Sequence, residues 1–474
     1  MVETIVKENN VDFISGAVSF QKQEATQQFA DQSLNKKRSK MDSQTPFKRL
    51  VSSSTAATIA LPDIPMEIIE LPESSPLMKV PEMSGGFGGG LAAVGGAISG
   101  RTIHNPLNAF KENPINALPP TLRSRCDQTE RFLKLKENGG LPECENAVST
   151  ALDYFKTKQN SDGSWGVTSK GAMTGLVLLC YFGRCETPDS AAYGDAVMKG
   201  IMYLIELQKK NPHKLFSEAT TGNGPVYEHG IATYALGEMY LLARLGNQSL
   251  PGMREAFEEG LKVIIESQRD TGGWCYNTEI GTYGESRDDL SVTGWQYQAL
   301  KAAKLTGLKV EGLHAAISNV IDYIDHVKTE DGGYGTTNRE ASYHQWGLTG
   351  AGVLGLQMLA SNKSADTKSG VKFAHEMFLR EPPKYSSDFR HLLYSWYYYS
   401  QIFFQNGGEE WALWNATAQP EILNNQSKDG SWTHSSAMQG GDKIQATAFC
   451  TLMLEVYYRY LKVGDKGQAS IFDK

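Results

Sequence analysis

The sequence predicts an all-α fold, an (α/α)6 toroid of six helical hairpins preceded by a long, largely disordered N-terminal segment. Two periodic features carry that prediction. The first is a turn that recurs as QNSDGSW from Gln159 to Trp165, QRDTGGW from Gln268 to Trp274, KTEDGGY from Lys328 to Tyr334 and QSKDGSW from Gln426 to Trp432. Its glycines suit positive φ and its aromatic needs a packing partner. Copies lie one or two units of about 55 residues apart, the size of an element in a helical-hairpin array. That spacing places weaker copies near Gln208 to Phe216 and near Tyr385. The second feature is one hydroxyl residue in each candidate inner helix, at Thr174, Thr233, Thr293, Thr349, Ser395 and Thr447, spaced by 59, 60, 56, 46 and 52 residues. Six hydroxyls imply six hairpins, and a hydroxyl bonded back to its own helix lets neighbouring helices approach closely.

Taken in order, residues 1–100 show no sustained period; Ser, Gln, Lys, Glu and Pro dominate, glycine makes up half of 85–100, and disorder is expected. The run Lys36-Lys37-Arg38-Ser39-Lys40 reads as a solvated charge cluster. Residues 101–141 read as an extended arm with a helix from Thr121 to Glu137 lying on the ring. The toroid then spans 142–465, and 466–474 is a tail. Its outer helices are amphipathic, as in Val148, Leu152 and Phe155 or Phe257, Leu261, Ile264 and Ile265. The inner helices, starting near Lys170, His229, Asp288, Ser342, Asp388 and Asp442, are apolar on more than one face. Trp165, Trp274 and Trp432 are expected to clamp outer to inner helices at the rim. Short turns make consecutive helices antiparallel, so the inner helices run parallel and their N-termini share one mouth.

Composition narrows the function. A net charge of −7, a pI near 5.8 and no basic stripe argue against a nucleic-acid partner. The six cysteines are scattered with no CxxC pair, so reduced thiols in a reducing compartment are expected rather than a disulfide framework. No signal peptide or run of 18 apolar residues is visible, which makes a cytoplasmic location the default; membrane association would need an anchor upstream of the chain's start.

Helix N-termini carry partial positive charge and unsatisfied N–H groups, so carboxylates and hydroxyls gather there. Asp288 and Asp289 stand at the third inner helix start, with His344 at the next, and these three are the candidate catalytic residues. His229, His391 and Asp442 join them at the mouth, while Tyr234, Trp295, Tyr297, Trp346, Tyr394 and Trp396 are expected to line an aromatic cavity that binds substrate. Paired carboxylates in an apolar setting can keep one protonated, and aromatic faces stabilise cations. The same residues also read as helix caps and core packing.

The Q-x-x-D-G-[GS]-[WY] turns before small-residue helices resemble the repeats of the terpene-cyclase and protein-prenyltransferase superfamily over residues 143–463. Its triterpene cyclases start a helix with D-x-D-D and protonate an alkene; here Ser286-Arg287-Asp288-Asp289 lacks the first aspartate, and the length fits one barrel. Its prenyltransferases hold zinc through Asp-x-Cys and a histidine; here Asp289 and His344 match but Ser291 replaces the cysteine, so neither metal nor cofactor is expected. The resemblance implies an acid-initiated isoprenoid cyclase or isomerase, with a non-catalytic binding or scaffold protein for a hydrophobic ligand or protein partner as the alternative. Helical double rings also carry polysaccharide lyases and glycosidases, and fold alone does not choose.

Overall fold

A computed structural model describes residues 120–460 apart from 221, 223, 246–248, 277–286, 341–344, 361–363, 388–390 and 436–442. The expectations for residues 1–119 and 461–474, and those for His344, Asp388 and Asp442, lie outside the described residues.

Helices α1 (Pro120–Cys126) and α2 (Gln128–Glu137) form the arm. They are two helices rather than the expected one, because the Asp127 carboxylate accepts the Glu130 backbone N–H at 2.8 Å and starts α2 afresh. Six outer–inner hairpins follow. They are α3 (Pro142–Lys158) with α4 (Lys170–Gly183), α5 (Gly194–Lys210) with α6 (Pro225–Leu245), and α7 (Met253–Glu266) with α8 (Leu290–Thr306). The second half comprises α9 (Leu313–His326) with α10 (Gln345–Leu359), α11 (Ala365–Arg380) with α12 (Leu392–Asn406), and α13 (Gly408–Leu423) with α14 (Lys443–Leu454), before the short α15 (Val456–Arg459).

Each inner helix packs on the next, from α4 through α6, α8, α10, α12 and α14, and α14 returns to α4, so the ring is closed. Sequence character follows layer. In the inner α4 every residue from Gly171 to Gly183 is buried, whereas the outer α7 buries a stripe of Met253, Ala256, Phe257, Gly260, Leu261 and Ile264. Among the described residues no helix is long and apolar enough to cross a membrane.

One hydrogen-bond pattern builds four of the turns. The backbone N–H of the turn aromatic donates to the inner-helix hydroxyl: Trp165 to Thr174, Trp274 to Thr293 and Tyr334 to Thr349 at 3.1 Å, and Trp432 to Thr447 at 3.0 Å. The indole N–H groups of Trp165, Trp274 and Trp432 donate to the Phe155, Ile264 and Ile422 carbonyls of the preceding outer helix. The turn glutamines reach onward: the Gln159, Gln268 and Gln426 amides donate to Ala196, Ala316 and Ala147 on the next outer helix. The last of these stitches the seam where α13 meets α3. Gly272 holds φ +89°, and a Cβ there would meet the Asn319 carbonyl at 2.0 Å, so the turn needs glycine. The hydroxyl register therefore has a different cause from the one expected. Thr233 and Ser395 do bond back to their own helix, at the His229 and His391 carbonyls. The other four accept from the turn.

The cysteine expectation is corrected. Cys126 at the end of α1 and Cys185 after α4, with Cα atoms 4.9 Å apart, form a disulfide. They are 59 residues apart, and only the folding of the arm back onto the ring brings them together. Cys144, Cys180, Cys275 and Cys450 are buried and form no disulfide.

Two substitutions test the turn clamp by thermal or chemical melts. Trp274→Ala should cost about 3–5 kcal/mol, as core aromatic truncations do. Thr293→Val, which keeps the volume but orphans the Trp274 N–H, should cost about 1–3 kcal/mol, with Thr293→Ser close to wild type. A Trp274→Ala melt that overlays wild type would show that the tryptophan clamps nothing.

Candidate functional site

All six inner helices begin at the turn end of the ring, and the polar groups described there form two networks. At the start of α8 the two aspartates turn apart. Asp288 faces the turn, paired with the Arg269 guanidinium at 2.7 Å and hydrogen-bonded by the Thr271 hydroxyl. Asp289 caps α8, accepting from the Ser291 N–H at 2.7 Å and the Ser291 hydroxyl at 2.6 Å, while the Tyr276 hydroxyl donates to its other oxygen at 2.8 Å. The Ser291 hydroxyl also pairs with that of Tyr227 on α6. Both carboxyls are buried, and burial holds both above their ordinary values despite these donors. The expected acid pair is thus one structural aspartate, Asp288, and one network aspartate, Asp289.

The second network joins α4, α6 and the second turn. Glu228 accepts the Gly171 backbone N–H at 3.0 Å and the Ser217 hydroxyl at 2.7 Å, so it caps the N-terminus of α4. The Phe216 N–H donates to His229 Nδ1 at 3.3 Å; the proton therefore sits on Nε2, which donates to the Gly260 carbonyl at 2.9 Å. His229 also stacks on Phe216. It ties the turn to the outer helix and does not face the lumen, which departs from its expected role as a substrate contact. His391 occupies the cap position of α12 at φ +65°.

Three of the aromatics expected in the cavity pack between helices instead. Trp396 meets Trp414 of the outer layer and Tyr385, each at 6.3 Å. Trp346 packs on Tyr399 at 4.7 Å, and Tyr399 in turn meets Trp414. Tyr297 reaches across to the Ala351 carbonyl of α10 at 2.7 Å. Trp295, Tyr394 and Tyr234 do point inward, yet each is at most 5 % exposed. Trp295 stacks on Tyr397 at 5.6 Å and on Phe449 at 6.5 Å, and Tyr397 meets Phe449 at 5.4 Å. Because α8 and α14 lie on opposite sides of the ring, these rings span its waist.

Sequence reasoning missed Phe449, Tyr398 and Tyr276, although a signal for the first was present. A residue two places after a hydroxyl is turned by about 200° around an α-helix. Where the hydroxyl faces the turn, its +2 neighbour faces the lumen. The positions two after the six register hydroxyls, four of which face a turn, are Leu176, Ala235, Trp295, Ala351, Tyr397 and Phe449, all 0–2 % exposed. Three large rings fill the space that two alanines and one leucine leave. Gln298 locks the layer, accepting from the Tyr397 hydroxyl at 3.0 Å and bonding the Tyr398 hydroxyl at 3.4 Å. Tyr276 lies in a loop with no periodicity to mark it.

No protein-family model matches the sequence, and no curated protein matches it. Solved structures do resemble it. The GH76 α-mannanase BT2949 of Bacteroides thetaiotaomicron aligns with a TM-score of 0.50 and 11% identity over 69% of this chain and 98% of the other. The α-1,6-mannanase GH76A of Salegentibacter sp. HEL1_6, as an inactive variant with α-1,6-mannotriose, gives 0.49 and 10% over 66% and 99%. A variant of the type II terpene cyclase MstE from Scytonema, in complex with geranylgeranyl dihydroxybenzoate, gives 0.46 and 13% over 70% and 100%. These neighbours are α/α toroids, and at such identities the likeness is one of fold.

Adjacent groups of opposite pH response sit in the second network. Burial lowers His229 from 6.5 to about 4, so between those values the unfolded chain binds more protons, and the stability this residue contributes above pH 6.5 is lost as pH falls to 4. The loss amounts to about 3 kcal/mol. Burial raises Glu228 from 4.5 to about 7, so the folded chain holds the extra proton there and its contribution falls as pH rises through that window. Relative to wild type, denaturant titrations between pH 4.5 and 6.5 should show the slope of stability against pH shifted upward in Glu228→Gln and downward in His229→Gln; slopes that shift the same way in both variants would contradict the assignment.

Proposed function

We propose that the chain is a non-catalytic (α/α)6 toroid, a rigid binding or scaffold protein whose partner, another protein, is engaged from outside the ring. One observation supports this reading above the rest: the ring's waist is closed by Trp295, Tyr397 and Phe449, so a polyprenyl chain has no room at the level where aromatic faces would stabilise its cations. The two aspartates that acid-initiated chemistry would pair face different partners. A closed double ring of helices, densely packed and clamped at four of its turns, presents a fixed outer surface, which suits a partner of defined shape.

Acid chemistry at the mouth is the second reading, favoured by one feature. Asp289 is a buried carboxyl held above its ordinary value, with two hydroxyls, of Tyr276 and Ser291, bonded to it. A proton donor needs such a group. The neighbours extend the substrates to be tried to linear isoprenoids and α-1,6-manno-oligosaccharides.

The test incubates the full chain with both substrate classes, followed by product analysis and native mass spectrometry, alongside reciprocal pull-downs. No product, no stoichiometric small ligand and a reproducible protein partner are expected. A product whose formation stops in Asp289→Asn would replace this proposal with the acid-catalysis reading.

A further inference from the structure

The end of the ring opposite the mouth is sealed by the arm. The Ser124 hydroxyl donates to the Tyr458 carbonyl of α15 at 2.7 Å, and the Arg125 guanidinium donates to the Arg459 carbonyl and pairs with Glu238 of α6 at 2.6 Å. The Asn138 amide donates to the Tyr457 carbonyl, and Trp411 of α13 donates back to Asn138. Beneath this cover lies a buried charged floor of Glu238, Lys301, Glu455 and Arg459, none more than 7 % exposed.

The arm is held chiefly by polar groups. Among the described residues its buried apolar side chains are Leu122 and Leu135, whereas α3 alone buries Ala147, Val148, Ala151, Leu152, Tyr154 and Phe155. Phe132 and Leu133 of the arm remain 39 % and 49 % exposed. Buried ion pairs contribute little net stability, and segments with little apolar burial are the first to open locally. The covalent link is what such an element needs to stay docked. That link joins the last residue of α1 to the ring, next to Arg125 on one side and to Arg184, paired with Glu145, on the other. Cys126 is half-buried, while Cys185 is 5 % exposed, so the Cys126 side of the link is the more open to a reductant.

We propose that the Cys126–Cys185 disulfide is a redox latch: while it is closed, the arm plugs the charged end of the ring, and reduction by a protein or small-molecule dithiol undocks it. The thiolate of the reductant attacks Cys126 Sγ, the bond to Cys185 breaks, and Cys185 leaves as a thiolate that takes up a proton. The reductant's second thiol then resolves the mixed disulfide, freeing Cys126 as a thiol. Two electrons pass from dithiol to protein, and the reductant ends as a disulfide. Opening uncovers Glu238, Arg459 and Lys301 without touching the turn clamps, so the ring persists.

Hydrogen–deuterium exchange on the full chain, with and without dithiothreitol and with intact mass confirming the two-hydrogen change, reads both states. Reduction should accelerate exchange at least tenfold in residues 122–138 and 456–460 and leave α3–α14 within twofold. The double variant Cys126→Ser with Cys185→Ser should reproduce the reduced pattern without reductant, while Arg125→Gln in the oxidised protein should leave the arm protected. An arm equally protected after reduction, or ring helices that exchange in step with it, would overturn the latch.

Discussion

The hydrogen bond from a turn aromatic's backbone N–H to a hydroxyl on the following inner helix is the constraint on which this structure depends. It occurs at Trp165–Thr174, Trp274–Thr293, Tyr334–Thr349 and Trp432–Thr447. A buried N–H left without a partner costs more than the bond itself contributes, so the pairing fixes each inner helix in rotation as well as position. Rotation is what matters for the interior. Once Thr293 faces the turn, Trp295 faces the axis, and the same arithmetic sends Phe449 there from Thr447; Tyr397, two places after the back-bonded Ser395, packs against both. The clamps of the third and sixth hairpins thereby help decide what fills the ring.

Parallel alignment of the inner helices has a second consequence. Six N-terminal ends gather at the mouth and six C-terminal ends opposite, so their dipoles set opposite fields at the two ends. Carboxylates meet backbone N–H groups at the mouth, as Asp289 does at Ser291 and Glu228 at Gly171. At the other end Arg125, Arg459 and Lys301 surround Glu238, with Glu455 beside Arg459. Burial pulls the Lys301 ammonium down to about 8, even with that carboxylate nearby. The mouth and the plug are therefore two products of one alignment.

The hairpins, their number and their layers were legible in the sequence because each depends on local chemistry: glycine where φ is positive, an aromatic to clamp, an apolar surface all round for burial. What the side chains do was less so. Asp288 and Asp289 look like a pair in the chain, yet both precede the first turn of α8 and Asp289 is extended, where successive side chains point to opposite sides, and the structure gives them separate partners. Trp396 follows Ser395 directly, so it lies toward the outer layer with Trp414, whereas Tyr397 one place on reaches the axis. The disulfide escaped notice because it links the arm to the ring, a contact between segments with no shared period. His229 read as a mouth residue from its place at a helix start; its partners, the Phe216 N–H and the Gly260 carbonyl, come from two other elements.

The ring is packed solid at its waist by Trp295, Tyr397 and Phe449. Xenon enters empty apolar cavities of protein interiors and leaves well-packed ones alone. Diffraction from crystals of the full chain under xenon pressure is thus the most direct measurement. A filled waist predicts no xenon among Trp295, Tyr397 and Phe449; a well-occupied xenon site enclosed by these three rings would show the lumen to be a cavity and contradict the account.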